Sequence, residues 1–173
     1  SLSDSASLSG FRIGIDVGGT KCLGVVLSPT GEVVTALKRP TPRGDGSLPM
    51  LITTLTEMVT AFEAECGAID TVGVGVPGLV THDGVLRASP NLDGVADFDI
   101  AHELRSTIRQ PVKVGNDATC GALAEWKLGA AAGTRDMMLV TLGTGIGGGI
   151  IAGGKLQQGA NGFAGEYGHM VVD

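Results

Sequence analysis

The chain has 173 residues and a formal net charge of -6, and it contains 29 glycines but few aromatic residues. Its hydrophobic fraction of 43% is too high for a disordered chain, and its length accommodates one domain, or one domain and part of a second. The negative charge argues against partners such as nucleic acids or anionic membranes, so we expect a small-molecule partner.

The cysteines and the N-terminal residues show no pattern typical of a cysteine metal site, a disulfide framework or a secretory signal. Cys22, Cys66 and Cys120 are widely spaced and include no Cys-x-x-Cys pair. We therefore expect neither a disulfide framework nor a cysteine metal site, and a cytoplasmic location fits. Residues 1–10 are serine-rich and lack the basic start and apolar core of a secretory signal, so we expect a flexible tail there.

A glycine turn joins two apolar segments directly after this tail. Residues 11–15 alternate large apolar residues with others, and residues 22–27 form a second apolar run. This pattern predicts two strands that are connected at Gly18 and Gly19. Glycines at such a turn allow backbone N–H groups to approach an anion closely.

The polar residues beside the two glycines favour a phosphate-binding turn. The Thr20 hydroxyl and the Lys21 ammonium can add hydrogen-bond donors, and Asp16 at the strand end can hold a hydrated divalent cation. The alternative is an ordinary Gly-Gly hairpin whose Asp and Lys are simply solvated.

The next part of the chain alternates between strands and helices. We predict strands at residues 31–37, 71–76 and 111–115 and helices that begin near Ser47, Ile100 and Asn116. The apolar residues of the first helix recur at helical spacing and are expected in the core. The third helix carries the large apolar residues Leu123, Trp126 and Leu128.

A second hairpin follows a stretch of small residues. Residues 130–134 suit a linker, so we place a lobe boundary there. Beyond it, an apolar strand at residues 137–142 leads into a glycine turn at residues 143–149 and out through residues 150–152. Because this repeats the order of strand, Gly/Thr turn and strand, it suggests an internal duplication with a nucleotide phosphate between the two turns.

Five short motifs together resemble one family. They are Asp-Val-Gly-Gly-Thr-Lys at 16–21, Val-Pro-Gly at 76–78, Gly-Asn-Asp-Ala at 115–118, Leu-Gly-Thr-Gly-Ile-Gly-Gly-Gly at 142–149 and Gly-Glu-Tyr-Gly-His at 165–169. In this order they resemble the ROK family of sugar kinases and related repressors, and among its members the bacterial glucokinases. The resemblance extends over residues 11–173.

The resemblance implies the α/β fold of the actin and hexokinase superfamily. Residues 11–130 would form a ribonuclease H-like N-terminal lobe with a mixed sheet, and residues 131–173 would be the incomplete start of a similar second lobe. Because only about 40 residues follow the linker, we expect a C-terminally truncated piece of a longer kinase that is inactive by itself. The family resemblance also implies a homodimer.

The implied activity is ATP-dependent phosphorylation of a hexose, most readily glucose to glucose 6-phosphate, with Mg²⁺ as the cofactor of ATP. Asp117 would be the general base that takes the proton of the sugar hydroxyl, and Asn116 would bind a neighbouring hydroxyl. From the residues alone, an Asp after a short strand is more often a helix N-cap. Loops 77–84 and 89–94 are expected to line the sugar pocket.

The remaining site residues are implied in the same way. The substrate contacts would be Asn116, Asp117, Glu166, His169 and Gly78. The contacts to the ATP phosphates would be Asp16, Gly18, Gly19, Thr20, Lys21, Gly143, Thr144 and Gly145. In zinc-containing relatives the histidine also binds a structural zinc ion together with a downstream cysteine segment, which this sequence does not match. His169 is therefore a possible zinc ligand, and zinc is expected only in a longer chain.

Several alternatives stay open from the sequence. A ROK-type sugar-sensing repressor would need a DNA-binding winged helix upstream, and only ten residues precede Phe11. A sugar-binding remnant without catalysis would keep the motifs but lack turnover. Among kinases, an N-acetylhexosamine kinase or a fructokinase fits the same motifs, and polyphosphate could replace ATP as the donor.

Overall fold

The computed structural model describes residues 10–90, 92, 94–142 and 145–169. The predicted tail at residues 1–10 therefore lies almost entirely outside the described residues. In chain order the elements are β1 (Phe11–Val17), β2 (Lys21–Leu27), β3 (Val33–Pro40), α1 (Ser47–Cys66), β4 (Ile69–Val76), β5 (Leu79–Val80), β6 (Leu86–Ala88), α2 (Ile100–Thr107), β7 (Val112–Asn116), α3 (Asp117–Leu128), β8 (Met137–Leu142), β9 (Ile146–Ala152), β10 (Lys155–Gln157) and a 3₁₀ turn (Tyr167–His169).

The first part of the chain forms a five-stranded mixed sheet in the order β3-β2-β1-β4-β7. The first three strands are antiparallel, whereas β1, β4 and β7 are parallel to one another. The third strand begins and ends later than the predicted residues 31–37. Gly31 belongs to the preceding turn, where its N–H donates to the Ser28 carbonyl, and the strand continues until Pro40 pairs with Lys21.

Helix α1 covers this sheet as its periodicity predicts. The face that it buries consists of Leu51, Leu55, Met58, Val59 and Phe62, together with Ile52. The close packing of α1 on β2 depends on Gly24, because a methyl group added there would lie 2.8 Å from the Phe62 ring. Helix α2 adds Ile100 and Leu104 to the same core. The stripe assigned to the core from sequence is therefore confirmed.

The second sheet has three antiparallel strands in the order β10-β9-β8 and packs against α3. The residues that α3 buries are the small Ala118, Thr119 and Ala122, whereas Leu128 is 75% exposed. The large apolar residues that this helix carries therefore do not form its buried face. The reason lies in β9, whose glycines bring the strand so close to the helix that only small side chains fit between them.

Residues 130–134 form successive turns at the end of α3. The Trp126 indole N–H donates to the Thr134 carbonyl at 2.8 Å, and the Ala131 N–H donates to the Glu125 carbonyl at 3.2 Å. The lobe boundary that we place here stays a prediction. Within the described residues, no helix combines the length and the hydropathy that crossing a membrane requires.

Candidate functional site

Three parallel strands bring the predicted motifs to one edge of the five-stranded sheet. Strands β1, β4 and β7 run in the same direction, so their carboxyl ends lie together. In the strand register Asp16 is opposite Gly75, and Val76 is opposite Asn116. The first glycine turn, residues 77–78 and the start of α3 therefore leave the sheet side by side.

A cleft of about 740 Å³ lies between this edge and the second sheet, a volume suited to a small-molecule ligand. Pro77, Leu79, Ser89 and Pro90 also line the cleft, so both loops expected at the sugar pocket contribute to it. The cleft brings together seven residues that the sequence places in the site, namely Gly18, Gly19, Gly78, Asn116, Asp117, Gly145 and Glu166.

The other predicted site residues do not line this cleft or cannot be located. Asp16, Thr20 and Lys21 belong to the first hairpin but are not among the lining residues, and all three are exposed. Outside the described residues lie Gly143, Thr144 and the side chain of His169.

The start of α3 shows which residue caps the helix. The Asn116 side-chain oxygen accepts a hydrogen bond from the Thr119 N–H at 2.9 Å, which makes Asn116 the N-cap. Asp117 is the first helical residue, and its carboxylate accepts a hydrogen bond from the Ala118 N–H at 2.8 Å. The capping role that an Asp at this place would commonly have therefore belongs to its neighbour, and the Asp117 carboxylate lines the cleft.

Asn116 also connects the helix start to the loop after β4. Its side-chain amide donates a hydrogen bond to the Gly78 carbonyl at 3.0 Å. Gly78 has a φ of 117°, and a methyl group there would collide with the Ala88 carbonyl oxygen. Only glycine fits this position, so Gly78 brings the loop against β6, and Asn116 holds it there. Beside these two described bonds, Asn116 has one amide hydrogen and one oxygen lone pair that suit a hydroxyl group of a ligand.

Burial acts on both carboxyl groups at the sheet edge, and the charge of Asp117 also acts on Asp16. Burial raises the pKa of Asp117, and hydrogen bonds from the Ala118 N–H and its own N–H partly oppose this. Partial burial of the carboxyl group also raises the pKa of Asp16, although the residue as a whole is exposed, and the negative charge of Asp117 raises it further. A carboxylate that is exposed to the negative charge of another binds a proton or a cation more readily.

Close contacts on both sides of α3 fix the position of its first turn. A methyl group added at Gly75 in β4 would lie 3.4 Å from the Asp117 Cα atom. On the other side, a methyl group at Gly147 in β9 would lie 3.0 Å from the Ala118 Cβ atom. Because the helix is packed tightly between the two sheets, Asp117 lies at their junction.

Glu166 reaches the cleft from the last described segment. A methyl group added at Gly165 would lie 2.6 Å from the Gly148 carbonyl oxygen, and the Tyr167 ring packs directly against Gly148. His82 contacts the Gly159 carbonyl at 3.0 Å through Nε2, which ties this segment to the turn between β5 and β6. Glu166 thus lies opposite the sheet edge that carries Asp117.

Residues 12–173 match the sequence profile of the ROK family. The chain belongs to the ROK family. Over 168 residues it is 39% identical to a glucokinase of Halalkalibacterium halodurans, covering 94% of this chain and 50% of the relative. It is 37% identical to an N-acetylgalactosamine kinase of Shewanella sp., covering 92% of this chain and 51% of the relative. The chain therefore spans about half the length of the curated relatives that it matches.

Solved structures of ROK proteins have the same fold. A ROK family glucokinase from Streptomyces griseus in complex with glucose and AMPPNP has a TM-score of 0.85 and 33% identity, covering 95% of this chain and 51% of that chain. A ROK family transcriptional regulator has a TM-score of 0.84 and 25% identity, covering 96% of this chain and 43% of that chain. The expected actin and hexokinase-like fold is confirmed.

The donor set of this ROK chain suits Mg²⁺ that arrives with a nucleotide. The described residues contain no cluster of three or more His, Cys, Asp or Glu side chains that could hold a metal ion alone. Mg²⁺ with ATP does not need such a cluster, because water and phosphate oxygens fill most of its ligand positions and one or two carboxylates suffice. Asp16 and Asp117 offer such carboxylates. Zinc binding by His169 stays a prediction.

Sequence reasoning missed two residues that contact the first glycine turn of this ROK chain. Thr41 and Arg43 follow β3 and donate hydrogen bonds to carbonyl groups of the turn. The sequence signal at these two residues is their position in a loop after an expected strand, and a loop position alone does not indicate a function. Their contact with the turn depends on the pairing of β2 with β3, which places Pro40 beside Lys21.

Proposed function

We propose that the protein is an ATP-dependent hexose kinase and that glucose is its acceptor. The observation that carries this proposal is the position of Asp117, a half-buried carboxylate in a cleft that glycine residues of both hairpins also line. The named activities of the two relatives, a glucokinase and an N-acetylgalactosamine kinase, support the class of reaction. Since the chain spans half of those relatives, the activity is proposed for the complete protein.

On the acceptor side, Asp117 accepts the proton of the sugar hydroxymethyl group while the oxygen of that hydroxyl attacks the γ-phosphorus of ATP. The bond between the γ-phosphorus and the bridging oxygen breaks, and ADP leaves. Asn116 and Glu166 bind neighbouring sugar hydroxyls, and we assign His169 to the same task. The fixed position of the first turn of α3 suits a base that must lie within hydrogen-bonding distance of one hydroxyl.

On the donor side, the two glycine turns bind the phosphates through backbone N–H groups. Gly18, Gly19 and Gly145 line the cleft. We assign Thr20, Lys21, Gly143 and Thr144 to the same phosphates. Mg²⁺ bound with ATP neutralises negative charge on the phosphate oxygens, and Asp16 is the carboxylate that we expect to hold it.

The acceptor is tested with the complete protein in a coupled assay of ADP release. We expect glucose to give a higher kcat/KM than N-acetylglucosamine, N-acetylgalactosamine or fructose, and ATP to support turnover where polyphosphate does not. A higher kcat/KM for an N-acetylhexosamine would replace glucose as the acceptor but keep the kinase. No turnover with any sugar, together with calorimetric glucose binding, would instead support a sugar-binding protein.

The competing function is transcriptional regulation, because a ROK regulator shares this fold. It predicts a sugar-dependent gel shift with DNA at physiological salt and no ADP release. The net charge of -6 disfavours DNA binding by this part of the protein, since nucleic-acid-binding surfaces are basic.

A further inference from the structure

Three successive carbonyl groups of the first glycine turn accept hydrogen bonds from one short segment. The Thr41 hydroxyl donates to the Gly18 carbonyl at 2.7 Å. The Arg43 guanidinium donates twice to the Gly19 carbonyl, from Nε at 3.1 Å and from Nη2 at 2.5 Å. The Thr41 N–H donates to the Thr20 carbonyl at 3.1 Å. The segment that follows β3 therefore binds the carbonyl side of the turn.

Binding the carbonyls also fixes the N–H groups of the turn. In a planar trans peptide the carbonyl of one residue and the N–H of the next point in opposite directions. The bonds to Gly18, Gly19 and Thr20 therefore direct the N–H groups of Gly19, Thr20 and Lys21 away from the segment that holds the carbonyls. Gly18 and Gly19 line the cleft, so the N–H group of the peptide between them is suitably placed for an anion bound there, and the N–H groups of Thr20 and Lys21 follow it directly in the turn.

Without these bonds the peptide between Gly18 and Gly19 would be free to flip. Glycine adopts positive and negative φ with similar ease, and a flipped peptide would present a carbonyl oxygen to the cleft. An oxygen in that place would repel a phosphate group. The bonds therefore favour the orientation that an anion site needs.

Thr41 is well fixed for this task. It is 6% exposed and directly follows Pro40, which ends β3 opposite Lys21. Its hydroxyl hydrogen is used for Gly18, and the buried Cys22 sulfur lies 3.6 Å from the hydroxyl oxygen. Arg43 is exposed, and it places a positive charge beside the turn. A neutral buried bond and a charged exposed bond thus hold neighbouring peptides.

We propose that Thr41 and Arg43 are positioning residues that preorganise the N–H groups of Gly19, Thr20 and Lys21 for the phosphates of the donor. This inference rests on the proposed function, in which the turn binds the donor rather than the sugar. Thr41 and Arg43 act through the backbone of the turn. Their loss should therefore weaken donor binding and leave the sugar side of the cleft unchanged.

The test compares Thr41→Val and Arg43→Gln in the complete protein with two controls. Thr35→Val removes a hydroxyl from β3, the strand that precedes Thr41, and Arg39→Gln removes an arginine whose described hydrogen bond goes only to the neighbouring Lys38 carbonyl. Kinetics are measured against ATP and against sugar separately. Calorimetry with inorganic tripolyphosphate as the probe gives anion affinity without turnover.

We expect Thr41→Val and Arg43→Gln each to raise KM for ATP and Kd for tripolyphosphate about tenfold, the effect of losing one hydrogen bond of ordinary strength. KM for the sugar should change less than about twofold on the same scale. Thr41→Ser should restore the ATP value because it retains the hydroxyl, and neither control should change it. Arg43→Gln and Thr41→Ser keep the test decisive if Thr41→Val does not fold.

Equal changes in the ATP and sugar parameters, or no change in either, would overturn the proposal. So would an Arg39→Gln effect as large as that of Arg43→Gln, since a general charge effect would then explain both.

Failure of the proposed function is recognised separately in the unsubstituted protein. If that protein lacks turnover but binds tripolyphosphate, the variant affinities still decide the role of Thr41 and Arg43; if it lacks turnover and also binds no tripolyphosphate, both proposals are wrong.

Discussion

The two glycine hairpins begin from similar sequences and end in different surroundings. The β1–β2 hairpin lies inside the five-stranded sheet with neighbours on both sides, and its turn is held by Thr41 and Arg43. The β8–β9 hairpin packs one face on α3 and leaves large apolar side chains of the other face exposed, with Met138 at 58% and Leu142 at 80%.

This difference shows that a strand, glycine turn and strand pattern specifies a hairpin but not how firmly it is held. The first hairpin depends on side chains that come from outside its own sequence. The second depends on the absence of side chains, because its glycines let α3 approach. Glycine residues of both hairpins line the cleft together with Asp117, so substitutions at and around that residue separate their contributions.

The largest expected effect belongs to Asp117, the residue at the junction of the two hairpins. Asp117→Asn keeps the shape and an acceptor for the Ala118 N–H, but it cannot take a proton. We expect kcat to fall by about 10²–10⁴-fold while the calorimetric affinity for glucose changes little. Asp45→Asn, at an exposed turn residue, is the matched control. An Asp117→Asn protein with unchanged turnover would refute the assigned base.

A smaller effect is expected where the second hairpin packs on α3. A methyl group at Gly149 would lie 2.5 Å from the Ala122 Cβ atom, which is attached directly to the helix backbone. We expect Gly149→Ala to lower the free energy of unfolding by about 1–3 kcal/mol, measured by urea denaturation. Gly145→Ala is the control, because a methyl group there would meet no atom within 4 Å. Equal losses for the two variants would contradict close packing at Gly149.

The first hairpin should tolerate the corresponding change better. A methyl group at Gly24 would lie 2.8 Å from the Phe62 ring and 2.9 Å from the terminal methyl of Met58. The methionine end can move aside, so Gly24→Ala should cost less than Gly149→Ala, about 1 kcal/mol by the same measurement. A larger loss at Gly24 than at Gly149 would reverse the order of rigidity that we assign to the two contacts.

The pH dependence of turnover should reflect the environment of Asp117. Burial raises its pKa above the ordinary value of 3.8, and the base must be ionised to act. Activity should therefore be lost as the pH falls through this raised pKa, at a higher pH than for an exposed aspartate. The measurement is kcat against pH at saturating ATP and glucose. An acidic limb at the ordinary aspartate value would contradict the effect of burial.

The smallest expected effect is a gain in stability when Asp16 loses its charge. Because the pKa of Asp16 is raised in the folded protein, first by partial burial and then by the charge of Asp117, ionisation of Asp16 opposes folding. This penalty is absent below the unfolded value of 3.8 and develops as the pH rises through the folded pKa. Asp16→Asn should thus raise Tm at neutral pH and leave it unchanged in strong acid; a lower Tm at neutral pH would contradict this sign.

Much of the fold could be predicted because its signals are local. The spacing of Leu51, Leu55 and Phe62 specifies a helix with one buried face, and the turn residues bound the strands of both hairpins. The glycine-rich motifs also allowed the ROK resemblance to be drawn from the sequence. The face that α3 buries could not be predicted in this way, because large side chains such as Leu128 are a poor guide where a glycine strand approaches a helix.

The sequence by itself determined the elements, the family and the residue types available for phosphoryl transfer, since these follow from periodicity and from short motifs. Only the tertiary structure decided that Asn116 caps α3 so that Asp117 lines the cleft, and that Thr41 and Arg43 hold the first turn. The bonds from Thr41 and Arg43 to the turn depend on strand pairing and join residues more than 20 positions apart, such as Gly18 with Thr41. Because such contacts form only when the sheet is assembled, no local pattern in the chain predicts them.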